Sequence, residues 1–174
     1  MEKKKRALHE LLEWSKVLVT AFAAALFISN VIVTSAKVPT GSMEETIMPG
    51  SRVLVNRLAY LSSEPERGDV VTFYYPDDED TVYLKRIMGL PGETVEGIDG
   101  AVYIDGKPIE KDYTDQKLNS DFGPYRVPEG MYFVMGDNRN NSWDSRFWDN
   151  KFVAEDKIIG RVEIEYFPEL KRFP

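Results

Sequence analysis

A chain of 174 residues, 43% hydrophobic and 29% charged, has the composition of a folded protein and room for one compact domain beside an anchor. It has no Cys and one His, His9 in the N-terminal tail, which excludes thiol chemistry, disulfides, thiolate zinc sites, an HExxH zinc helix and a Ser-His-Asp triad in the folded part. A net charge of −7 with mixed signs offers no clustered basic face, so nucleic acid is not an expected partner.

Lys3, Lys4, Lys5, Arg6 and Lys16 precede residues 17–36, which carry no charge and are mostly Val, Leu, Ala, Phe and Ile. As a helix that stretch spans roughly 30 Å, the thickness of a bilayer's hydrocarbon core. Thr20, Ser29, Asn30, Thr34 and Ser35 weaken the pattern, and Trp14 suits an interface. We read residues 17–36 as one transmembrane helix contacting the lipid bilayer. The positive-inside rule then makes residues 1–16 a cytoplasmic tail and places residues 37–174 outside the membrane. Two other readings stand beside it. A cleaved secretory signal has a shorter apolar run, although Thr34-Ser35-Ala36 offers a small-residue cut site. An amphipathic core helix would show charge every three or four positions.

From Val38 onward short runs of period two alternate with Gly, Pro and Asp clusters, the signature of an antiparallel, mainly β domain. The pattern predicts strands at 52–57, 69–75, 81–88, 94–95, 102–104, 107–109, 131–135 and 157–167. Asp105-Gly106 predicts a type I′ hairpin. In the last strand Val162, Ile164 and Tyr166 alternate with Arg161, Glu163 and Glu165, which predicts one buried and one wet face. The acidic run at 77–80 reads as a solvated hairpin tip in preference to a calcium site, since no spaced ligands follow.

With no imidazole or thiol available, a hydrolase here would use Ser or Thr as nucleophile and Lys or a carboxylate as base. In Val38-Pro39-Thr40-Gly41-Ser42-Met43 a Gly lets the chain turn sharply and leaves the Ser42 hydroxyl clear; Gly-Ser is equally common in ordinary turns. In Tyr83-Leu84-Lys85-Arg86-Ile87 strand parity puts Lys85 in an apolar row, with Arg86 on the other face. Burial there would lower the Lys85 pKa toward a base that works near neutrality. A snorkelling Lys on an edge strand is the alternative. Arg67-Gly68-Asp69-Val70-Val71 reads as a turn into a buried strand. The segment from Gly136 to Arg146 is too polar for core. It reads either as a loop that orients the base or as plain polar surface.

Taken together and in order, these boxes resemble the bacterial type I signal peptidases, a family with an anchor, a Ser-Met box, an Arg-Gly-Asp strand, a Lys-Arg strand ending in Gly-Leu-Pro-Gly, and a Gly-Asp-Asn-Arg…Ser…Asp-Ser-Arg box. The resemblance implies the signal-peptidase-like antiparallel β fold and a membrane-bound serine endopeptidase with Ser42 as nucleophile and Lys85 as base. It implies an oxyanion hole from Ser42 and Thr40, and a Lys85 ammonium bonded by Ser142. Asp144 would pair with Arg146, and Asp137 and Arg86 would be structural partners. No metal or cofactor is implied. The implied substrates are secretory preproteins with small residues at −1 and −3, cut at the outer face of a bacterial cytoplasmic membrane. Met43, Ile47, Met48, Trp143, Phe147 and Trp148 read either as a membrane-facing rim or as core. The sequence departs from the family's pattern where Glu45 replaces a usual Pro, where Met48-Pro49-Gly50-Ser51 replaces a Gly-Asp ending, and where Asn140 replaces a common Asp. A self-cleaving Ser/Lys regulator would need a DNA-binding domain in place of the anchor, and a tethered β module without protease activity would leave a preprotein uncut.

Overall fold

The computed structural model describes residues 2–109 and 113–173; the side chains of Lys3, Lys4, Lys5 and Arg6 lie outside what is described. Helix α1 (Glu2–Phe27) runs into a π-helical turn (Ile28–Ile32) and then into strand β1 (Val33–Lys37). The expected helix to residue 36 is therefore too long. The β-branched run Ile32-Val33-Thr34 favours extended backbone. From Val33 to Lys37 every residue pairs with β2 (Arg52–Asn56). On α1 the side chains of Val17, Leu18 and Phe22 are 57%, 67% and 67% exposed, so no described part of the chain covers them. Among the described residues no helix is long and apolar enough to cross a membrane.

The remaining strands are β3 (Val70–Tyr75), β4 (Asp78–Gly89), β5 (Thr94–Ile98), β6 (Ala101–Ile104), β7 (Lys107–Pro108), β8 (Phe122–Arg126), β9 (Met131–Met135), β10 (Val153–Ala154), β11 (Ile158–Phe167) and β12 (Lys171–Arg172). The large sheet runs β1-β2-β11-β3-β4-β9-β10 with β12 on β11, and a small sheet runs β7-β6-β5-β8. Every strand pair described is antiparallel. The expected mainly β, antiparallel architecture is what the chain forms. The small sheet occupies the short stretch between β4 and β9.

The predicted strands are all present, within a few residues. Asp105 and Gly106 take φ of 50° and 74°, the two left-handed values a type I′ turn needs. Asp99-Gly100 does the same between β5 and β6, at 51° and 85°, and the same dipeptide rule would have found it. The even alternation expected for β11 fails past Val162. Bulges after Val162 and Glu165 reset the side-chain parity, so Glu165 is buried and accepts the Ser51 hydroxyl, whereas Tyr166 is exposed. The acidic run at 77–80 begins in the β3–β4 turn at Asp77 and continues into the exposed first residues of β4. Asp77 accepts backbone N–H bonds from Asp149 at 3.0 Å and Asn150 at 2.8 Å. Among the described residues no cluster suited to a metal ion occurs.

Candidate active site

Beyond β1 the chain turns back on itself, with Val38 N–H donating to Ser51 O at 2.9 Å and Gly50 N–H to Val38 O at 2.7 Å. Inside this loop Met43 and Ile47, four residues apart on one helical turn, are fully buried with Val53, Val55 and Val162. These two side chains nail the loop to the sheet. Ser42, next to the first nail, lines the groove with a relative exposure of only 9%. Thr40 lines the same groove from an exposed position. Glu45 takes φ of 77°, which a Pro ring with φ near −65° could not reach; the departure from the family's Pro thus goes with a different backbone path.

Lys85 lies on β4, where strand parity holds as predicted. Its flanking same-face neighbours are Tyr83, whose ring centroid lies 5.4 Å from Lys85 Nζ, and the fully buried Ile87. Nζ lies 2.6 Å from Ser42 Oγ and also donates to Leu84 O at 3.2 Å. Burial, with 4% of the residue exposed, lowers the Lys85 pKa from 10.5 to about 8; Asp144 and Asp137 oppose the fall and Arg146 adds to it. Lys85 is thus a buried amine, and the snorkelling alternative is gone.

The polar loop after β9 is built, not floppy surface. Asp144 grips Arg146 through Oδ1 to Nε at 2.8 Å and Oδ2 to Nη2 at 2.8 Å, and accepts the Gly136 N–H at 2.9 Å. Arg146 also donates to Arg139 O at 2.7 Å. On the far face of β4 Arg86 makes a two-pronged pair with Asp137 at 2.9 and 2.6 Å and donates to Gly68 O at 2.6 Å. Ser142 lines the groove as expected, but its hydroxyl is buried with no hydrogen-bond partner, so the bond to Lys85 is not formed in this conformation. The amine is instead taken up by Ser42 and the Leu84 carbonyl.

Two residues in this loop were not singled out from sequence. Asn138 donates its backbone N–H to Ser42 O at 3.1 Å, and its Nδ2 bridges Gly41 O and Glu44 Oε2, both at 2.9 Å. A Cβ built on Gly136 would overlap Ser142 Oγ and the Ser42 carbonyl oxygen, so Gly there lets the two loops touch. Nothing local in the sequence marks either contact, because both depend on which loop β9 delivers beside Ser42.

Ser42 and Lys85 open into a groove of about 760 Å³, walled by Ala36, Val38, Val82, Leu84 and Trp143 among others. The six apolar residues read either as rim or as core divide between the two. Met43, Ile47 and Trp148 are core, whereas Met48, Trp143 and Phe147 are about half exposed, the last two stacked at 5.7 Å.

A buried hydroxyl and a buried amine in contact, beside an apolar groove on an antiparallel sheet, have the chemical equipment of a serine hydrolase. A family model described as signal peptidase, peptidase S26, matches residues 11–167. The chain is similar to the probable signal peptidase I-2 of Synechocystis sp., with 36% identity over 90% of this chain and 73% of the relative. It is similar also to signal peptidase I of Bacillus amyloliquefaciens (40% identity, 94% and 89%) and to signal peptidase I T of Bacillus subtilis (38%, 94% and 89%). The chain belongs to the signal peptidase, peptidase S26 family and is a serine endopeptidase.

Proposed function

We propose that this chain removes signal peptides from secretory preproteins at a bacterial cytoplasmic membrane, with Ser42 as nucleophile and Lys85 as general base. The observation that carries the reading is the 2.6 Å approach of Lys85 Nζ to Ser42 Oγ inside a buried pocket. Neutral Lys85 accepts the hydroxyl proton as Oγ bonds to the scissile carbonyl carbon. The ammonium so formed returns that proton to the leaving amine as the peptide bond breaks. Water, deprotonated by the same amine, then hydrolyses the ester on Ser42. The developing oxyanion is held by the Ser42 backbone N–H and the Thr40 hydroxyl. Asp144, Arg146 and Ser142 hold the wall beside the amine, and Asp137 with Arg86 fixes the strand beneath it.

A substrate lying extended along the groove points residues −1 and −3 to the same side. The walls from Ala36, Val38 and Leu84 then favour small apolar side chains there. The uncharged stretch ahead of β1 is the anchor, now ending at residue 32, with residues 1–16 cytoplasmic and the β domain outside. The bare apolar side chains of α1 support a lipid contact. The experiment is cleavage of a preprotein by the detergent-solubilised chain, beside Ser42→Ala and Lys85→Ala, with folding followed by circular dichroism. Loss of cleavage in both folded variants is expected; wild-type cleavage by Lys85→Ala rejects the mechanism. Alkaline extraction of membranes tests the anchor, which is rejected if the chain is released.

A further inference from the structure

Residues 114–119, between the small sheet's β7 and β8, cross the outside of both loops that make the site. On one side the Glu45 carboxylate, three residues past Ser42, accepts from Gln116 Nε2 at 3.1 Å and from Thr114 Oγ1 at 3.3 Å. On the other, Asn140, two residues before Ser142, reads the segment's backbone. Its Nδ2 donates to Lys117 O at 2.8 Å, and its Oδ1 accepts the Asn119 N–H at 3.0 Å. The carboxamide does both, which an ionised carboxylate could not, having no proton to donate. The segment is itself fixed. Leu118 is buried in the cluster that holds Met135, at the end of the strand leading to Gly136, and its N–H donates to Gly100 O at 2.9 Å. Glu45 meanwhile sits at φ of 77°, a conformation that costs a non-glycine residue energy and persists where surroundings hold it.

We infer that residues 114–119 are a strap, with Glu45 and Asn140 as positioning residues that lock the nucleophile loop and the loop beside Lys85 in one relative placement. This rests on the reading of Ser42 and Lys85 as the reacting pair. All four polar contacts lie on the exposed surface, where each adds little to folding. Cutting them therefore frees the loops without unfolding the sheet. Because the two residues hold one relative placement, cutting either end releases it and the second cut adds little.

The test uses the full chain in detergent with a peptide carrying a signal-peptide cleavage site, comparing wild type, Glu45→Ala, Asn140→Asp and the double variant. Each single variant is expected to lose about tenfold in kcat with KM changed less than about twofold, and the double to resemble the singles. Glu45→Gln, which keeps one acceptor oxygen, is expected to recover part of the loss. Wild-type kcat in both singles overturns the inference, as do losses that multiply in the double or that follow a fall in Tm. Lys85→Ala in the same assay separates the two layers. If it cleaves normally, the reacting pair and the strap both fall. If it is dead while the strap variants keep their kcat, only the strap falls.

Discussion

Lys85 Nζ and Ser42 Oγ, 43 residues apart in the chain, meet at 2.6 Å on the wall of an apolar groove. The amine is buried enough for its pKa to fall to about 8, so a minority of molecules hold it neutral at pH 7. Cleavage as kcat/KM should therefore rise with pH through about 8, as the proton that blocks the base is lost. Asp144 is the largest charge holding that proton in place, so Asp144→Asn, in the fraction that folds, should move the acid limb to lower pH. A limb near pH 6 in the wild type, or no limb, would contradict this account of the base.

The same burial makes Lys85 a cost to the fold. Its pKa is about 8 when folded and 10.5 otherwise, so between those values the unfolded chain binds a proton that the folded chain does not. Stability should thus rise with pH from about 8 to 10.5 from this group, and below pH 8 the full penalty of about 3 kcal/mol applies. Lys85→Met, inactive, is expected to be more stable than wild type at pH 7 by about 1–3 kcal/mol, after allowing for the lost contact with Ser42. The gain should shrink toward zero above pH 10.5. Urea unfolding at pH 7 and at about pH 10.5 checks the sign, and a variant less stable at both would refute the burial penalty.

Much of this was legible in the sequence, for reasons that differ by residue. Lys85 was placed correctly because strand parity is rigid: Tyr83 and Ile87 fix the face it occupies, and Arg86 must take the other. Asp105-Gly106 was legible because two left-handed residues in a row leave few other turns. The end of the N-terminal helix was not, since hydropathy cannot tell an apolar helix from an apolar strand and only the pairing of β1 with β2 decides. Short strands β8 and β10 owe their extended form to neighbours remote in sequence, β5 and β9, and the parity shift in β11 arises in its pairing with the distant β2, whereas β12 is a two-residue strand folded back on β11. Asn138 and Gly136 were missed for the same reason. The unmade bond of Ser142 shows that a role carried over from a family fixes a residue's neighbourhood more securely than its partner.

Behind the site, Arg86 and Asp137 are 4% and 1% exposed, so the pair holds a charge that has no water to fall back on. Asp137→Ala leaves the guanidinium buried and unpaired, with the Gly68 carbonyl and the Tyr113 ring at 4.5 Å as its remaining company. The expected loss is about 3–5 kcal/mol, whereas replacing both partners, as in Arg86→Met with Asp137→Leu, should restore much of it. Thermal unfolding of the three variants decides. A double variant as unstable as the single would mean the pair acts through shape and not through charge.

Gly136→Ala should damage catalysis more than stability. The new Cβ meets the Ser142 hydroxyl, which can rotate away, but also the Ser142 Cβ at 2.6 Å and the Ser42 carbonyl oxygen, which can move only with their loops. A displacement of Ser42 on the order of 1 Å is expected to lower kcat by about 100-fold. Adding Ser142→Ala should not rescue it, because the collisions with the Ser42 carbonyl oxygen and with the Cβ at position 142 remain. Rescue by that second change would show that the damage passes through the Ser142 hydroxyl instead.

Asn138 and Glu44 provide the last test, because their contact depends on which atoms can donate. Nδ2 is the side-chain donor that bridges two acceptors, Gly41 O and Glu44 Oε2, each at 2.9 Å. Asn138→Asp keeps the shape but sets a carboxylate against a carboxylate and a carbonyl, so the loop around Ser42 should be pushed open. Asn138→Ala merely deletes the tie. We expect kcat to fall further in Asn138→Asp than in Asn138→Ala, by about tenfold, with the backbone bond to Ser42 O still possible in both. Glu44→Gln should then recover activity in the Asn138→Asp background, because the new amide supplies the missing donor, and do little on its own. Equal activity of the two Asn138 variants, or no rescue by Glu44→Gln, would mean that the side chain does not hold the nucleophile loop and that the backbone N–H bond suffices.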